Sequence, residues 1–369
     1  MKISYISNSS CPSQLPSSLQ IVKTCEYLSK HGNQVYLIIP NTGATKISIK
    51  KFYDIKFKFN LIRLIKFKKF PLGINYYLFS FLAFLRAKKI SEIIITRNYF
   101  VVFLCSLFKK KCVIELHGDM SNESRINRSI FSIFKILNSK SVSKIVCISK
   151  SIKMKYIKES YARDTNKMIV LPSGSSLKMN YKNSLNIKRL KLGYFGTINP
   201  SRGINIILKL AQNDRQNDYY IFGGSKSQIV NLNKKHRLRN LYLSPYQNIK
   251  IVKIKMKEMD ILLMPYSNKV TVSGNVSDTT SYMSPLKLFD YMTTGRLILS
   301  SKLEVLKEVI DDKHCVFIKN YLNPLSWLLE INKIKNNVLK RNIIGKNSHI
   351  KSKQYFHNNR VLKYLENLS

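Results

Sequence analysis

The chain has 369 residues, 44% of them hydrophobic, and a formal net charge of +43. That length exceeds one typical core and predicts two globular domains; the hydrophobic share excludes a disordered chain, and the charge favours anionic partners such as nucleotides, nucleic acid or acidic lipid. The six cysteines form no C-x-x-C pair and the six histidines no H-E-x-x-H pattern, so neither a zinc site nor a disulfide framework is expected, and the thiols suit a reducing compartment.

Met1–Ser10 turns polar at Ser7 and does not read as a signal peptide. Lys2–Ile6 is a predicted strand, followed by a loop at Ser7–Ser17 and a helix traced by Leu19, Val22, Cys25, Glu26 and Leu28 that ends at His31-Gly32. A second strand, Gln34–Ile39, completes a βαβ unit, the seed of a parallel sheet. The first loop lacks G-x-G-x-x-G, so a dinucleotide fingerprint is absent. Lys46–Phe70 then carries nine Lys or Arg against one acid, Asp54, interleaved with Phe and Ile. That pattern suits a membrane surface or nucleic acid. It equally suits an amphipathic strand and loop in a chain whose Lys, Ile, Asn, Phe and Tyr crowding is the bias of an AT-rich coding sequence. The longest apolar runs, Tyr76–Leu85 and Tyr99–Phe108, have ten residues each, against the ~20 that a spanning helix needs.

The alternation continues with a strand at Glu92–Ile95, a helix at Phe100–Phe108 and a strand at Cys112–Leu116 leading into His117-Gly118-Asp119. A helix at Ile126–Leu137, a strand at Lys144–Ile148, a helix capped by Ser149 and a strand at Met168–Leu171 follow, the last ending at Pro172-Ser173-Gly174. The first domain is thus placed at 1–178, and the polar stretch 179–189 is read as a linker. A second series occupies 190–340. It has strands at Leu190–Phe195, Tyr219–Phe222, Met259–Met264 and Cys315–Ile318, a helix at Ile204–Leu210, and a helical stretch at Trp327–Ile334. The segment 341–369 is read as helical and returning to the first domain.

Tyr282–Ser301 is the most informative stretch. Ser284 is expected to cap a helix with Pro285 at its first position, Leu286, Leu288, Phe289 and Met292 recur at helical spacing, and Gly295 stops it. A helix N-terminus can hold a phosphate, and Asp290, one and a half turns on, can take two sugar hydroxyls. Alone, the stretch also fits an ordinary surface helix of an α/β domain.

Five segments in order resemble the retaining glycosyltransferases of family 4, which have two facing Rossmann-like doubly wound domains (GT-B): strand-His117-Gly118, Leu171-Pro172-Ser173-Gly174, Gly196…Arg202-Gly203, Met264-Pro265-Tyr266 and Ser284–Arg296. The resemblance implies a metal-independent, hexosyltransferase-like enzyme acting on a nucleotide-diphosphate sugar, with no resident cofactor and with retention of anomeric configuration. It places Gly196, Thr197, Arg202, Tyr266, Ser284, Pro285, Leu286, Lys287 and Asp290 at the donor, with His117 and Arg202 catalytic. The family's E-x7-E acids are here Tyr282 and Asp290, and its Arg–Lys diphosphate pair is here Thr197 and Arg202. Arg97 and Tyr282 are candidate acceptor or sugar contacts, Arg97 otherwise reading as a solvated strand-end charge and Glu115 as an in-strand structural acid. The resemblance also implies a glycan or lipid-linked acceptor, cell-surface polysaccharide or lipopolysaccharide synthesis in a bacterium, and a cytoplasmic, peripheral place at the inner membrane face. There Lys50, Lys51, Lys66, Lys68 and Lys69 would face the lipid. Two rivals stand beside it: a basic nucleic-acid-binding protein, against which no helix-turn-helix, RNP or KH signature is found, and a non-catalytic transferase homologue.

Overall fold

The computed structural model describes residues 1–41, 43, 46–65, 71–184, 188–271 and 277–368, with backbone alone at 46–48 and 72. It divides into two units, Met1–Ser173 with His357–Ser369, and Gly174–Phe356.

The first unit is a seven-stranded sheet of β1 (Lys2–Ile6), β2 (Gln34–Pro40), β3 (Asn60–Leu64), β4 (Ile93–Thr96), β5 (Cys112–Leu116), β6 (Val142–Cys147) and β7 (Met168–Val170). All pairs are parallel, in the order β3-β2-β1-β4-β5-β6-β7. The central strands β4 and β5 are buried at every position, as a parallel sheet covered on both faces requires. The crossovers are α1 (Pro16–Lys30), α2 (Lys46–Tyr53), α3 (Leu72–Ile90), α4 (Tyr99–Leu107), α5 (Arg125–Phe134) and α6 (Lys150–Lys158). Ser149 caps α6, its hydroxyl accepting from the Ile152 N–H.

The second unit has six parallel strands, β8 (Lys191–Phe195), β9 (Asp218–Phe222), β10 (Leu241–Ser244), β11 (Ile261–Met264), β12 (Leu297–Ser301) and β13 (Val316–Ile318), in the order β10-β9-β8-β11-β12-β13. Its helices are α7 (Ile204–Asn213), α8 (Lys226–Lys235), α9 (Ile249–Glu258), α10 (Leu286–Thr294), α11 (Glu304–Lys307), α12 (Pro324–Lys335) and α13 (Val338–Ser352). Leu192 and Tyr194 of β8 join the core that holds Trp327, and Phe195 joins the opposite core with Met264 and Tyr291, the alternation expected of a strand between two helical layers. The last helix, α14 (His357–Glu366), belongs to the first unit, where Val361 and Tyr364 enter its core.

Both sheets run outward in two directions from their first strand, so each has a switch point, between β1 and β4 and between β8 and β11. Open α/β sheets bind ligands at that point, beyond the carboxyl ends of the strands.

Three sequence expectations are corrected. Residues 174–178 and 341–356 lie with the second unit. The stretch 179–189 is strapped to that unit rather than a linker: the Tyr181 hydroxyl donates to the Asn342 carbonyl at 3.0 Å and the Ser184 hydroxyl to Asp260 at 2.5 Å. The basic region after residue 45 holds a helix, α2, as well as β3, and Tyr76–Leu85 lies inside the longer α3. No helix among the described residues is long and apolar enough to cross a membrane.

Candidate functional site

In the second unit the two loops flanking the switch point meet. The loop after β8 starts at Gly196, whose N–H donates to the Phe222 carbonyl at 2.9 Å, and ends at Gly203 (φ +73°), where a Cβ would fall 1.4 Å from the Pro265 carbonyl oxygen. Gly203 is thus required for the loop after β8 to cross the loop after β11. Between them, Asn199 caps a short 3-10 turn, Pro200–Arg202, by accepting from the Ser201 N–H. The turn directs the Arg202 guanidinium over the Tyr266 ring, 5.4 Å from its centroid, with one Nη donating to the Thr271 carbonyl at 3.1 Å.

Lys287 arrives from α10. Its Nζ stands 3.6 Å from the centroid of the Tyr194 ring and 5.5 Å from that of Tyr266. The ammonium is buried without a hydrogen-bond partner, and burial together with the Arg202 charge holds its pKa well below the usual lysine value. A Cβ on Gly196 would come within 3.0 Å of Nζ, so glycine leaves the space beside the ammonium open. Among the described residues, neither Arg202 nor Lys287 has a carboxylate partner. Two cations on one aromatic ring, one of them desolvated, make a seat for an anion.

The helix start differs from expectation. Pro285 is itself the N-cap, extended at φ −74°, ψ 119°, with no side-chain hydrogen bond of its own to α10; Ser284 stands one residue before the cap position. The helix begins at Leu286, whose N–H and that of Lys287 have no intrahelical acceptor. Asp290, one turn further, is partly exposed, and its Oδ1 accepts from the Ser175 hydroxyl at 2.5 Å. Desolvation pushes its carboxyl up to about 7, against the lowering effect of that hydrogen bond. Thr197 offers its carbonyl to the Tyr194 hydroxyl at 2.8 Å and brings no charge. Tyr282 is buried, its N–H bonded to the Thr279 carbonyl.

The first unit gathers a buried charge cluster at its own switch point. Glu115 is fully buried on β5 and accepts from the Tyr5 hydroxyl (2.6 Å), Arg97 Nε (2.9 Å) and Arg360 Nη2 (2.9 Å), and meets His117 Nε2 at 3.3 Å. The two guanidinium groups outweigh burial and hold Glu115 well below the usual carboxylate range. Burial and the Arg97 charge push His117 down to about 4. The imidazole is therefore neutral near pH 7, with Nε2–H donated to the ionised Glu115 and Nδ1 left as an acceptor. Arg97 is not a solvated strand-end charge: it is tied to Glu115, and its Nη2 donates to Gln20 at 3.2 Å. Glu115 holds together four side chains from four parts of the unit.

Ser175, Tyr194 and Arg360 were missed by the sequence reading. Ser175 lies one residue beyond the Leu171–Gly174 motif; Tyr194 looked like an ordinary strand aromatic, and nothing local marks Arg360. Lys50 and Lys51 are exposed on α2, while Lys66, Lys68 and Lys69 lie outside the described residues. Among the described residues, no three His, Cys, Asp or Glu side chains gather as a metal site.

The sequence matches no protein-family model and none of the characterised proteins compared with it. Its structure matches solved ones along their whole length. HepE from Anabaena, in complex with UDP and glucose, superposes with a TM-score of 0.73 over 100% of this chain and 99% of that one, at 14% identity. Sucrose-phosphate synthase from Thermosynechococcus elongatus gives 0.75 over 99% and 97% at 13% identity, and the lipopolysaccharide outer core galactosyltransferase WaaB gives 0.69 over 100% and 99% at 11% identity. The fold is that of the GT-B glycosyltransferases. In GT-B terms, the chain has two Rossmann-like units, and the Arg202–Lys287 seat lies at the switch point of the second.

Proposed function

We propose that the chain is a retaining glycosyltransferase of the family 4 type. It moves a sugar, of the hexose class, from a nucleotide-diphosphate sugar to a glycan or lipid-linked acceptor in cell-surface polysaccharide or lipopolysaccharide assembly. It works in the cytoplasm, peripheral to the inner membrane face. The observation that carries this reading is the buried Lys287 ammonium, which lacks a counter-ion and shares the Tyr266 ring with Arg202. A diphosphate supplies the missing charge.

The chemistry follows from these residues. Breaking the bond from the sugar's anomeric carbon to the diphosphate leaves negative charge on the departing oxygen, and fixed cations and N–H dipoles stabilise it without reorganising. Arg202 can fork onto two phosphate oxygens, Lys287 adds a point charge, and the α10 N-terminus adds its dipole. Asp290, when ionised, accepts from ribose hydroxyls. The acceptor hydroxyl attacks from the face the diphosphate leaves, which retains configuration, and its proton departs with the leaving group. His117, neutral and fixed by Glu115, offers Nδ1 to a sugar hydroxyl. With these charges in place no metal is needed, and turnover survives EDTA.

HepE was solved with UDP and with UDP-glucose, which makes UDP the first nucleotide to try. Thermal-shift measurements with UDP, GDP, ADP, TDP and CMP test the reading, because a ligand bound only by the folded state raises its melting temperature. At least one nucleoside diphosphate stabilises the wild type, and Arg202→Ala weakens it by ~2–4 kcal/mol. The absence of any shift, or wild-type affinity in a folded Arg202→Ala protein, would overturn it.

A further inference from the structure

Helices α3, α4 and α5 of the first unit turn apolar side chains outward. On α5 the inward residues are Asn127 and Phe131, while Ile126, Ile133 and Phe134 are 57%, 71% and 57% exposed. A surface helix normally places polar residues there. On α3, Ile74, Phe81 and Leu85 stand at i, i+7 and i+11, all exposed on one stripe. Leu107 and Phe108 at the end of α4 are exposed as well.

These stripes adjoin. The Tyr77 hydroxyl of α3 lies 3.1 Å from Ser124 Oγ, the cap of α5, and donates to Asn127 Oδ1 at 3.3 Å. The Phe103 ring of α4 meets that of Phe134 at 4.7 Å, and Phe84 of α3 meets Phe108 at 5.4 Å. Phe103, Leu107, Phe134 and Lys135 border one groove. The charges around this face are mainly basic, Glu123 beside the α5 cap being an acid that accepts from Asn127 Nδ2 at 2.8 Å. The three helices contain no Asp or Glu, while Arg86, Lys89, Lys109, Arg125, Arg128 and Lys135 are exposed in or beside them.

We propose that the α3–α4–α5 face docks on an anionic lipid bilayer, with Ile126, Ile133 and Phe134 entering the headgroup–acyl boundary and the surrounding Lys and Arg meeting lipid phosphates. Apolar and aromatic side chains framed by basic ones are the composition that binds such a boundary. A second exposed apolar face, with Leu325 and Leu329 on α12 and Leu339 on α13, lacks this character: its exposed apolar residues are aliphatic, and Glu330 of α12 pairs with Lys333. The inference rests on the peripheral placement proposed above and assigns it to this face; vesicle binding is scored apart from nucleotide binding, so either can fail alone.

Co-sedimentation with mixed phosphatidylcholine–phosphatidylglycerol vesicles, against pure phosphatidylcholine, tests it. The wild type pellets with the mixed vesicles and stays in solution with the neutral ones. The triple variant Ile126→Gln/Ile133→Gln/Phe134→Gln, with a wild-type thermal melt, loses binding by about tenfold or more. Leu325→Gln/Leu329→Gln/Leu339→Gln binds as the wild type, and Lys50→Gln/Lys51→Gln has the smaller effect of two charges. Equal losses from the two triple variants, or undiminished binding by the α5 triple, would refute the assignment. So would a wild type that ignores all vesicles and forms a dimer that the α5 triple abolishes, since a second copy would then cover the face.

Discussion

Asp290 shows how little of a residue's behaviour is set by its identity. A solvated aspartate is ionised throughout the neutral range, but desolvation near α10 pushes this carboxyl up to about 7 while the Ser175 hydroxyl pulls it back. If the ionised form accepts ribose hydroxyls, nucleotide affinity falls as pH drops below about 7, where the proton occupies the acceptor. On the alkaline side affinity falls again as Lys287, whose pKa is depressed by burial and Arg202, loses its proton. Calorimetric titration of UDP from pH ~5.5 to ~8.5 should show the acid limb. Ser175→Ala, which removes the hydrogen bond favouring the ionised form, moves that limb to higher pH, and Asp290→Asn flattens it. An acid limb unchanged in Asp290→Asn would assign it to another group. The sequence offered Asp290 and Lys287 as donor contacts by resemblance. It did not disclose that Pro285, not Ser284, ends the approach to α10, because a serine followed by proline is compatible with either helix start and the extended backbone at Pro285 decides between them.

At the scale of elements, α14 is fastened to β5 by Arg360, 245 residues from Glu115 in sequence. Such a pair is illegible locally: Glu115 reads as an in-strand structural acid, as it proves to be, but nothing beside it names Arg97 and Arg360 as its partners, because they come from other segments. The helix α3 escaped notice for a different reason. It is apolar on its outward stripe as well as on its buried one, so the 3.6-residue contrast that marks an amphipathic helix is missing. By contrast β1 and β5 lie where expected, and β4 within a residue, because buried parallel strands are mostly apolar runs. Removing Arg360 leaves part of a buried carboxylate's charge uncompensated. We expect Arg360→Met to lose ~2–4 kcal/mol of stability in urea unfolding at neutral pH. Acid should also act through this cluster. His117 is depressed to about 4, so the unfolded chain takes up its proton first, and this contribution is lost as pH falls from ~6.5 toward 4. Glu115, held low, adds stability that is present above its unfolded value and lost at still lower pH. Glu115→Gln should flatten the lower part of that curve. An Arg360→Met protein as stable as the wild type would mean that the pair is incidental.

On the scale of the whole molecule, the strand–helix alternation made two parallel-sheet units legible, since each βαβ repeat imposes a parallel neighbour. The unit boundaries were less legible because α13 and α14, adjacent in sequence, belong to different units. The net charge of +43 was ambiguous in sequence, and the structure gives part of it two distinct settings: a pair of cations, of which Lys287 is desolvated, sharing the Tyr266 ring, and an exposed rim around an apolar helix face. The first of these is the centre of the functional reading. The direct test is calorimetric titration of UDP and of uridine into the wild type, Arg202→Ala and Lys287→Met. The wild type should prefer UDP to uridine strongly, since two cations await the diphosphate. Each substitution should shrink that preference by ~30-fold or more while leaving uridine binding nearly unchanged. A UDP-to-uridine preference that survives intact in a folded Lys287→Met protein would contradict the assignment of this seat to a diphosphate.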